Sequence, residues 1–368
     1  MRPRSVPGAP ERTGEAAIAG QVEQAALRRA LDLSRAALGR TSPNPPVGAV
    51  VLDAAGQVAG EGVTAPAGGP HAEVVALAAA GERARGGTVV VTLEPCRHTG
   101  RTGPCTQALL AAGVARVLIG CLDPTGLPGG GARELREAGV AVETGVLAAE
   151  VARGPLEAWL TAQRTGRPFV TWKYAATLDG RVAAADGSSR WITSADARAD
   201  VARLRGEVDA VVVGVGTVLA DDPRLTVRPD PGHQPLRVVL DSDGRTPPQA
   251  RVRDDGAPTL VLTAADVPRH DLAAVLRVLA DRGAVSVLLE GGPTLAGAFV
   301  RAGLVDRVVG YVAPALLGAG PAALGDIGVG TIAAAHRLLL DDVTRVGTDL
   351  RLVLRPPRPT DPPTEGRA

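Results

Sequence analysis

Aromatic residues make up only 2% of this 368-residue chain, so its cores must be built from Val, Leu and Ala, and few side chains can stack on nucleic-acid bases. An excess of one charge is also missing. Lys and Arg number 40 against 39 Asp and Glu, without the basic surplus of a phosphate-tracking nucleic-acid binder. Three cysteines are too few for a disulfide framework, and they fit a reducing, cytoplasmic compartment where thiols bind metal or sit in cores. Residues 1–20 mix Pro, Gly, Arg and Glu with no apolar run, which predicts a disordered tail rather than a signal peptide. The longest charge-free run, Val308 to Gly325, contains six Gly or Pro residues and reads as a buried strand and loop, not a membrane span. Two rarities stand out: Lys173 is the only lysine and Asn44 the only asparagine.

What is present divides in two. Length predicts two domains, each able to bury a core. Val22, Ala26, Ala30, Leu33 and Ala37 share one helical face and predict a helix over Gln21–Leu38, stopped by the Pro-rich Thr41–Pro46. Val47–Leu52 and Val58–Val63 read as paired strands around Asp53–Gly56. Helix and strand then alternate through Ala72–Ala84, Thr88–Leu93, Pro104–Ala112, Ala115–Gly120 and Ala132–Val142, which predicts a largely parallel sheet covered by helices. After a helical connector at 147–166, a second doubly wound unit is expected. Its strands are Phe169–Tyr174, Ala210–Val213, Leu236–Leu240, Thr259–Leu262, Val285–Leu289 and Arg307–Val312, and its helices Ala195–Arg205, Asp271–Arg282 and Thr294–Ala302. The Pro-rich end, 356–368, predicts a second disordered tail. The fold class is therefore α/β in two domains, 21–146 and 167–355.

The first chemical constellation is His71, Cys96 and Cys105. One imidazole and two thiols leave the fourth position of a tetrahedral zinc for water, the catalytic pattern. The helix start expected at Cys105 favours its thiolate. Glu73 is placed to shuttle a proton between that water and a leaving ammonia. His71-Ala72-Glu73 and Pro95-Cys96 fit the H-x-E and P-C-x-x-C signature of zinc deaminases, except that eight residues separate the cysteines. Cys121, at the end of a strand, reads as a core cysteine.

Thr41–Gly48, His71–Val74 and Thr92–Cys105, with that longer spacing, closely resemble the bifunctional deaminase–reductase family of riboflavin biosynthesis, and the resemblance runs from about Gln21 to Leu354. It implies a cytidine-deaminase-like α/β/α sandwich followed by a dihydrofolate-reductase-like domain. The first would deaminate a diaminopyrimidinone ribosyl phosphate, with Asn44 bonding the pyrimidine and Glu73 as shuttle. After Asp123-Pro124, this chain's Thr125–Gly131 departs from the family's loop and is one residue shorter.

Val211–Thr217 reads as a buried strand running into a glycine loop. A second strand ends at Glu290-Gly291-Gly292-Pro293-Thr294, where free N–H groups suit a phosphate and Thr294 can cap the helix. Thr177–Arg181, Ser189–Ser194, Gly214–Arg228 and Leu289–Ala298 are similar to the family's reductase domain. The resemblance implies that Ala175, Trp191, Thr217, Asp221, Ser242, Gly292, Pro293 and Thr294 contact NADPH. It also implies that Ser189, Arg205, Leu225, Arg228 and Glu290 face the substrate phosphate. Lys173 and Asp179 are further candidates, and the proton donor is left open among Lys173, Asp221, Glu290 and water.

The expected whole is a cytoplasmic enzyme with one Zn²⁺ per chain and NADPH. It would act on small phosphorylated pyrimidines, with no nucleic-acid or membrane partner and with homo-oligomerisation open. A tRNA deaminase with an accessory domain and a non-catalytic zinc scaffold are the rival readings.

Overall fold

A computed structural model describes residues 14–99, 103–125, 130–229 and 233–357. The chain forms two compact units, one holding residues up to Ala37 and Asn44–Glu157, the other Leu38–Pro43 and everything from Ala158 on. The expected connector is thus divided: residues 147–157 belong to the first unit. The tail expected at 356–368 lies outside the described residues from 358 on. Of the tail expected at 1–20, residues 1–13 lie outside them and the rest is helical.

In the first unit the elements run α1 (Gly14–Arg35), β1 (Gly48–Leu52), β2 (Val58–Val63), α2 (Ala72–Ala80), β3 (Thr88–Leu93), α3 (Cys105–Ala112), β4 (Arg116–Cys121), α4 (Gly130–Glu137), β5 (Ala141–Thr144) and α5 (Ala148–Ala152). Helix α1 begins before the expected Gln21. The five strands lie in the order β2-β1-β3-β4-β5. β1 is antiparallel to both its neighbours while β3, β4 and β5 are parallel, so the sheet is mixed rather than largely parallel. The hairpin at Asp53–Gly56 inserts a reversed strand between β2 and the parallel set.

Two close approaches explain the sandwich. A Cβ at Gly48 would meet the Ala30 carbonyl of α1 at 1.9 Å, and one at Gly62 would meet the Ala72 carbonyl of α2 at 2.2 Å. Gly62 pairs with Ala49, the residue after Gly48. Successive strand residues point to opposite faces, so α1 and α2 cover opposite sides of the sheet. Val50, Val51, Val89, Val90 and Val91 are fully buried between them.

The second unit runs α6 (Glu157–Thr165), β6 (Phe169–Thr177), α7 (Ala195–Gly206), β7 (Ala210–Gly214), α8 (Val215–Asp221), β8 (Leu236–Leu240), β9 (Thr259–Leu262), α9 (Leu272–Ala280), β10 (Ser286–Leu289), α10 (Pro293–Arg301), β11 (Arg307–Ala313), β12 (Leu339–Val346) and β13 (Asp349–Arg355). Its eight strands lie in the order β12-β13-β11-β6-β10-β7-β8-β9. β11 through β9 are parallel, and the terminal hairpin is antiparallel. On one face α9 and α10 pack Leu276, Leu279 and Phe299 against Val170, Val212, Val238 and Val287. On the other, α8 packs Val215 and Val218 against Val211, Val213 and Val239.

Two elements differ from expectation. The residues after β7 form helix α8 with Gly214 as its cap, not a glycine loop. The β12–β13 hairpin was not expected at all.

Candidate active sites

His71 caps α2 in extended conformation, and Glu73 lies in that helix's first turn. Cys105 opens α3. His71 Nδ1 lies 3.2 Å from Cys105 Sγ and 3.5 Å from Cys96 Sγ, and the three ligand atoms are all within 4.8 Å of one another. A tetrahedral zinc with bonds of about 2.1 Å to nitrogen and about 2.3 Å to sulfur sets such atoms about 3.6 Å apart. The donor set therefore fits zinc in chemistry and in spacing. No fourth His, Cys, Asp or Glu joins the cluster among the described residues.

The start of α3 serves Cys96. The Cys105 N–H donates to Cys96 Sγ at 3.4 Å, and the Thr106 N–H to the Cys96 carbonyl at 3.1 Å. Hydrogen bonding from Cys105, against the cost of burial, pulls the Cys96 thiol down to about 4. The Cys105 thiol, which donates to Cys96 and is buried, is pushed well up. The helix start thus delivers one N–H to the neighbouring sulfur and one to the carbonyl of the same residue. A hydrogen bond with Cys96 raises His71, and burial raises the Glu73 carboxyl.

Asn44 is half-buried between α1 and β1, and its side chain has no hydrogen-bond partner among the described residues. The Thr64 N–H donates to the Val47 carbonyl at 3.0 Å, which ties the chain three residues after Asn44 to the start of the loop leading into His71. Next to Cys96 lies a cavity of about 150 Å³ lined by Glu94, Pro95, Arg97, His98, Asp123, Thr125, Gly130 and Gly131. The sequence reading did not single out Glu94, His98 or Asp123 as site residues. A histidine two residues after a ligand cysteine was the available signal. The rest of the altered loop, 126–129, lies outside the described residues. Cys121 is not without a partner, since its thiol reaches the Ala148 carbonyl at 3.6 Å.

In the second unit the candidates gather where parallel strands end. β6, β10 and β7 are adjacent, and Leu289 is in register with Trp172 and Val212. This sets Lys173 beside Glu290: Nζ to Oε2 is 3.8 Å. Arg205 from α7 grips Glu290 with a fork at 2.6 and 2.9 Å. Burial opposes Glu290's charge, but Arg205 and then Lys173 outweigh it and hold the carboxyl below the usual range. Burial also lowers Lys173. The Lys173 ammonium lies 5.9 Å over the ring of Tyr311, whose phenol donates to Asp200 at 2.6 Å. Ala175 packs against this same cluster.

The starts of α8 and α10 face each other, since Thr217 Oγ1 lies 3.9 Å from where a Gly292 Cβ would be. Gly292 is the cap of α10 and Pro293 its first residue, so Thr294 sits inside the first turn and does not cap as expected. Proline at that position moves the helix start one residue earlier. Ser242 is exposed beyond the end of β8, the neighbour of β7. Ser189 Oγ lies 3.3 Å from Asp221 Oδ1, and Arg190 donates to the Asp221 carbonyl. The Arg190–Trp191 peptide bond is cis. Trp191 is 69% exposed, with the Arg198 guanidinium 4.4 Å and the Arg190 guanidinium 5.9 Å from the centre of its ring.

Three candidates are placed differently. Leu225 has φ +57 and its side chain is in the core, so only its backbone can meet a ligand. Arg228 is exposed and unpartnered among the described residues. Asp179 accepts from Thr177 Oγ1 at 2.6 Å and from the Gly318 N–H at 2.7 Å, tying two loops together.

Comparison with known proteins covers both units. Residues 21–121 match the cytidine and deoxycytidylate deaminase zinc-binding region, and residues 168–352 the RibD C-terminal domain. The chain is 53% identical over 333 residues to the riboflavin biosynthesis protein RibD of Mycobacterium tuberculosis, covering 89% of this chain and 96% of that protein. Against the Escherichia coli protein of the same name it is 41% identical over 360 residues, 89% and 98% covered. A solved diaminohydroxyphosphoribosylaminopyrimidine deaminase/5-amino-6-(5-phosphoribosylamino)uracil reductase from Thermotoga maritima aligns with TM-score 0.84 and 35% identity, covering 92% and 99%.

Proposed function

Because the chain belongs to the RibD family, a bifunctional deaminase and reductase of riboflavin biosynthesis, we propose how its own residues divide the two reactions. The first unit replaces an amino group of a diaminopyrimidinone ribosyl phosphate by a carbonyl, consuming water and releasing ammonia. The second reduces the ribosyl group of the resulting phosphoribosylaminouracil to ribityl. We assign one zinc to His71, Cys96 and Cys105, and NADPH to the cleft at the ends of β6, β7, β8 and β10. When bound, zinc supplies a Lewis acid that lets water ionise near neutral pH, and NADPH supplies hydride.

Asn44 holds the pyrimidine through its free amide. Glu73 takes a proton from the attacking water and passes it to the departing amino group. The observation that carries this reading is a nitrogen-and-two-sulfur donor set with a buried carboxylate two residues from the histidine.

In the second unit the facing starts of α8 and α10 bring free N–H groups to a phosphate. The fork of Arg205 is filled by Glu290, so phosphate contact falls to Arg228 and Ser189, and Arg205 acts by orienting Glu290. Lys173, 3.8 Å from Glu290, can hold a proton for the opened sugar. A tRNA deaminase leaves the match over residues 168–352 unexplained.

The test is incubation of the zinc-loaded chain with the diaminopyrimidinone phosphate, with and without NADPH, followed by mass spectrometry. Without NADPH the product should carry oxygen in place of one amino group. With NADPH it should gain two further hydrogens. An unchanged substrate in both samples would overturn the reading.

A further inference from the structure

Glu94 is buried between β3 and the ligand Cys96, and neither reaction step uses it. Its carboxylate is committed to backbone on both sides of one segment. Oε2 accepts the Asp123 N–H at 3.1 Å, and Oε1 accepts the Ala132 N–H at 2.9 Å. Its own N–H donates to the Cys121 carbonyl at 2.9 Å. The fit is tight. Gly130, with φ +42, comes so near that a Cβ would lie 2.1 Å from Oε1, and a Cβ at Gly131 would lie 1.9 Å from the Pro95 carbonyl. Asp123, Thr125, Gly130 and Gly131 form one wall of the cavity beside Cys96, and Glu94 to His98 form the other.

We propose that Glu94 is a positioning residue of the deaminase: by holding the Asp123 and Ala132 amides it keeps the wall residues Asp123, Thr125, Gly130 and Gly131 at a set distance from Cys96 and so determines how tightly the pyrimidine phosphate is held, without touching it. The proposal rests on the deaminase reading above. A carboxylate is suited to the task because it offers two acceptors in one plane, and an amide offers only one. Gln at this position turns an NH₂ toward a backbone N–H, so one end of the wall is released while volume is kept. Gly130→Ala reaches the same end from the other side, by pushing its new methyl group against Oε1.

The test compares Glu94→Gln, Gly130→Ala and the double variant as full-length, zinc-loaded protein. Hydrogen exchange at the Asp123 and Ala132 amides should quicken in each variant while zinc content and reductase rate stay at the parent values. Deaminase KM should rise at least about tenfold with kcat changed less than about threefold, the signature of lost binding rather than lost chemistry. The double variant should be no worse than the more severe single one, because both open one clamp, whereas independent effects would multiply to about a hundredfold. Unchanged exchange at the two amides, a loss confined to kcat, or multiplied KM effects would each overturn the clamp. If the parent protein released no ammonia, the functional reading would fall, and hydrogen exchange would still decide on the clamp.

Discussion

Lys173 shows how much one side chain's shape can matter. Its ammonium faces Glu290, whose two oxygens are already taken by the Arg205 fork, and lies over the Tyr311 ring. A guanidinium here would need planar acceptors that are already filled, and would compete with Arg205. Lys173→Arg should therefore lower the reductase kcat/KM at least about tenfold, about 1.4 kcal/mol of transition-state stabilisation, with deamination and zinc content unchanged. A reductase at the parent rate would return Lys173 to a structural role. In the first unit, Glu73→Gln should keep zinc yet slow deamination by about a hundredfold to ten-thousandfold, since the amide keeps the shape and loses the proton shuttle. Metal analysis beside an ammonia assay separates the two effects. Both positions were legible in the sequence through rarity, a lone lysine and a His-x-Glu ahead of two of only three cysteines. Glu94 was not. Its partners are backbone N–H groups 29 and 38 residues away, and backbone leaves no trace in residue types.

At the scale of elements, legibility followed burial. The strands β7, β8 and β10 lie inside a sheet covered on both faces and show as apolar runs, broken by Arg237 in β8 and Ser286 in β10. β12 is an edge strand, exposed along most of its length, and its apolar residues Leu339, Leu340, Val343 and Val346 fall at helical spacing rather than alternating as a strand's would. Its turn did carry a signal. Gly347, with φ +61, is the first of two loop residues between Val346 and Asp349, where hairpins favour glycine. Helix α8 is short and starts with Val-Gly-Thr-Val, a poor helical sequence that its packing on β7 overrides. Loop anchors were similarly hidden. Asp179 closes the turn after β6 by accepting from Thr177, Gly318 and Leu317, bonds that hold its carboxyl down to about 2. Its folded pKa is below its unfolded one, so its contribution to stability is present above the unfolded pKa of about 3.9 and is lost as pH falls toward 2. The melting-temperature gap between the parent and Asp179→Asn should thus be full at pH 6 to 7 and narrow steadily below about pH 4. A gap independent of pH would mean that the Asn amide fails for steric reasons instead.

For the whole molecule, two domains were legible from length and from the restart of the strand–helix pattern, but their borders were not. Val151 and Leu156 are fully buried in the first unit, whereas Trp159 and Leu160 are buried in the second. A fragment ending at residue 150 therefore loses two core side chains, and deleting one buried leucine side chain alone costs about 2–5 kcal/mol. Residues 1–157 should fold, bind zinc and deaminate, and residues 1–150 should melt lower or precipitate. The second unit has the opposite difficulty, because it also contains Leu38–Pro43. The Trp159 indole N–H donates to the Pro43 carbonyl at 3.1 Å, and Trp159 is only 5% exposed. Residues 158–368 keep every reductase candidate yet leave that donor without its acceptor, a penalty of about 1–3 kcal/mol. Such a fragment should reduce substrate but melt several degrees below residues 158–368 supplied with the missing segment by fusion, at about 2–4 °C per kcal/mol for this size. Trp159→Phe distinguishes the orphaned donor from general loss of packing. In the full chain it should destabilise, because it removes a satisfied hydrogen bond. In the fragment it should be neutral or stabilising, because it removes an unsatisfied one. Equal destabilisation in both settings would show that the Pro43 bond contributes nothing and that the segment matters only for the surface it covers.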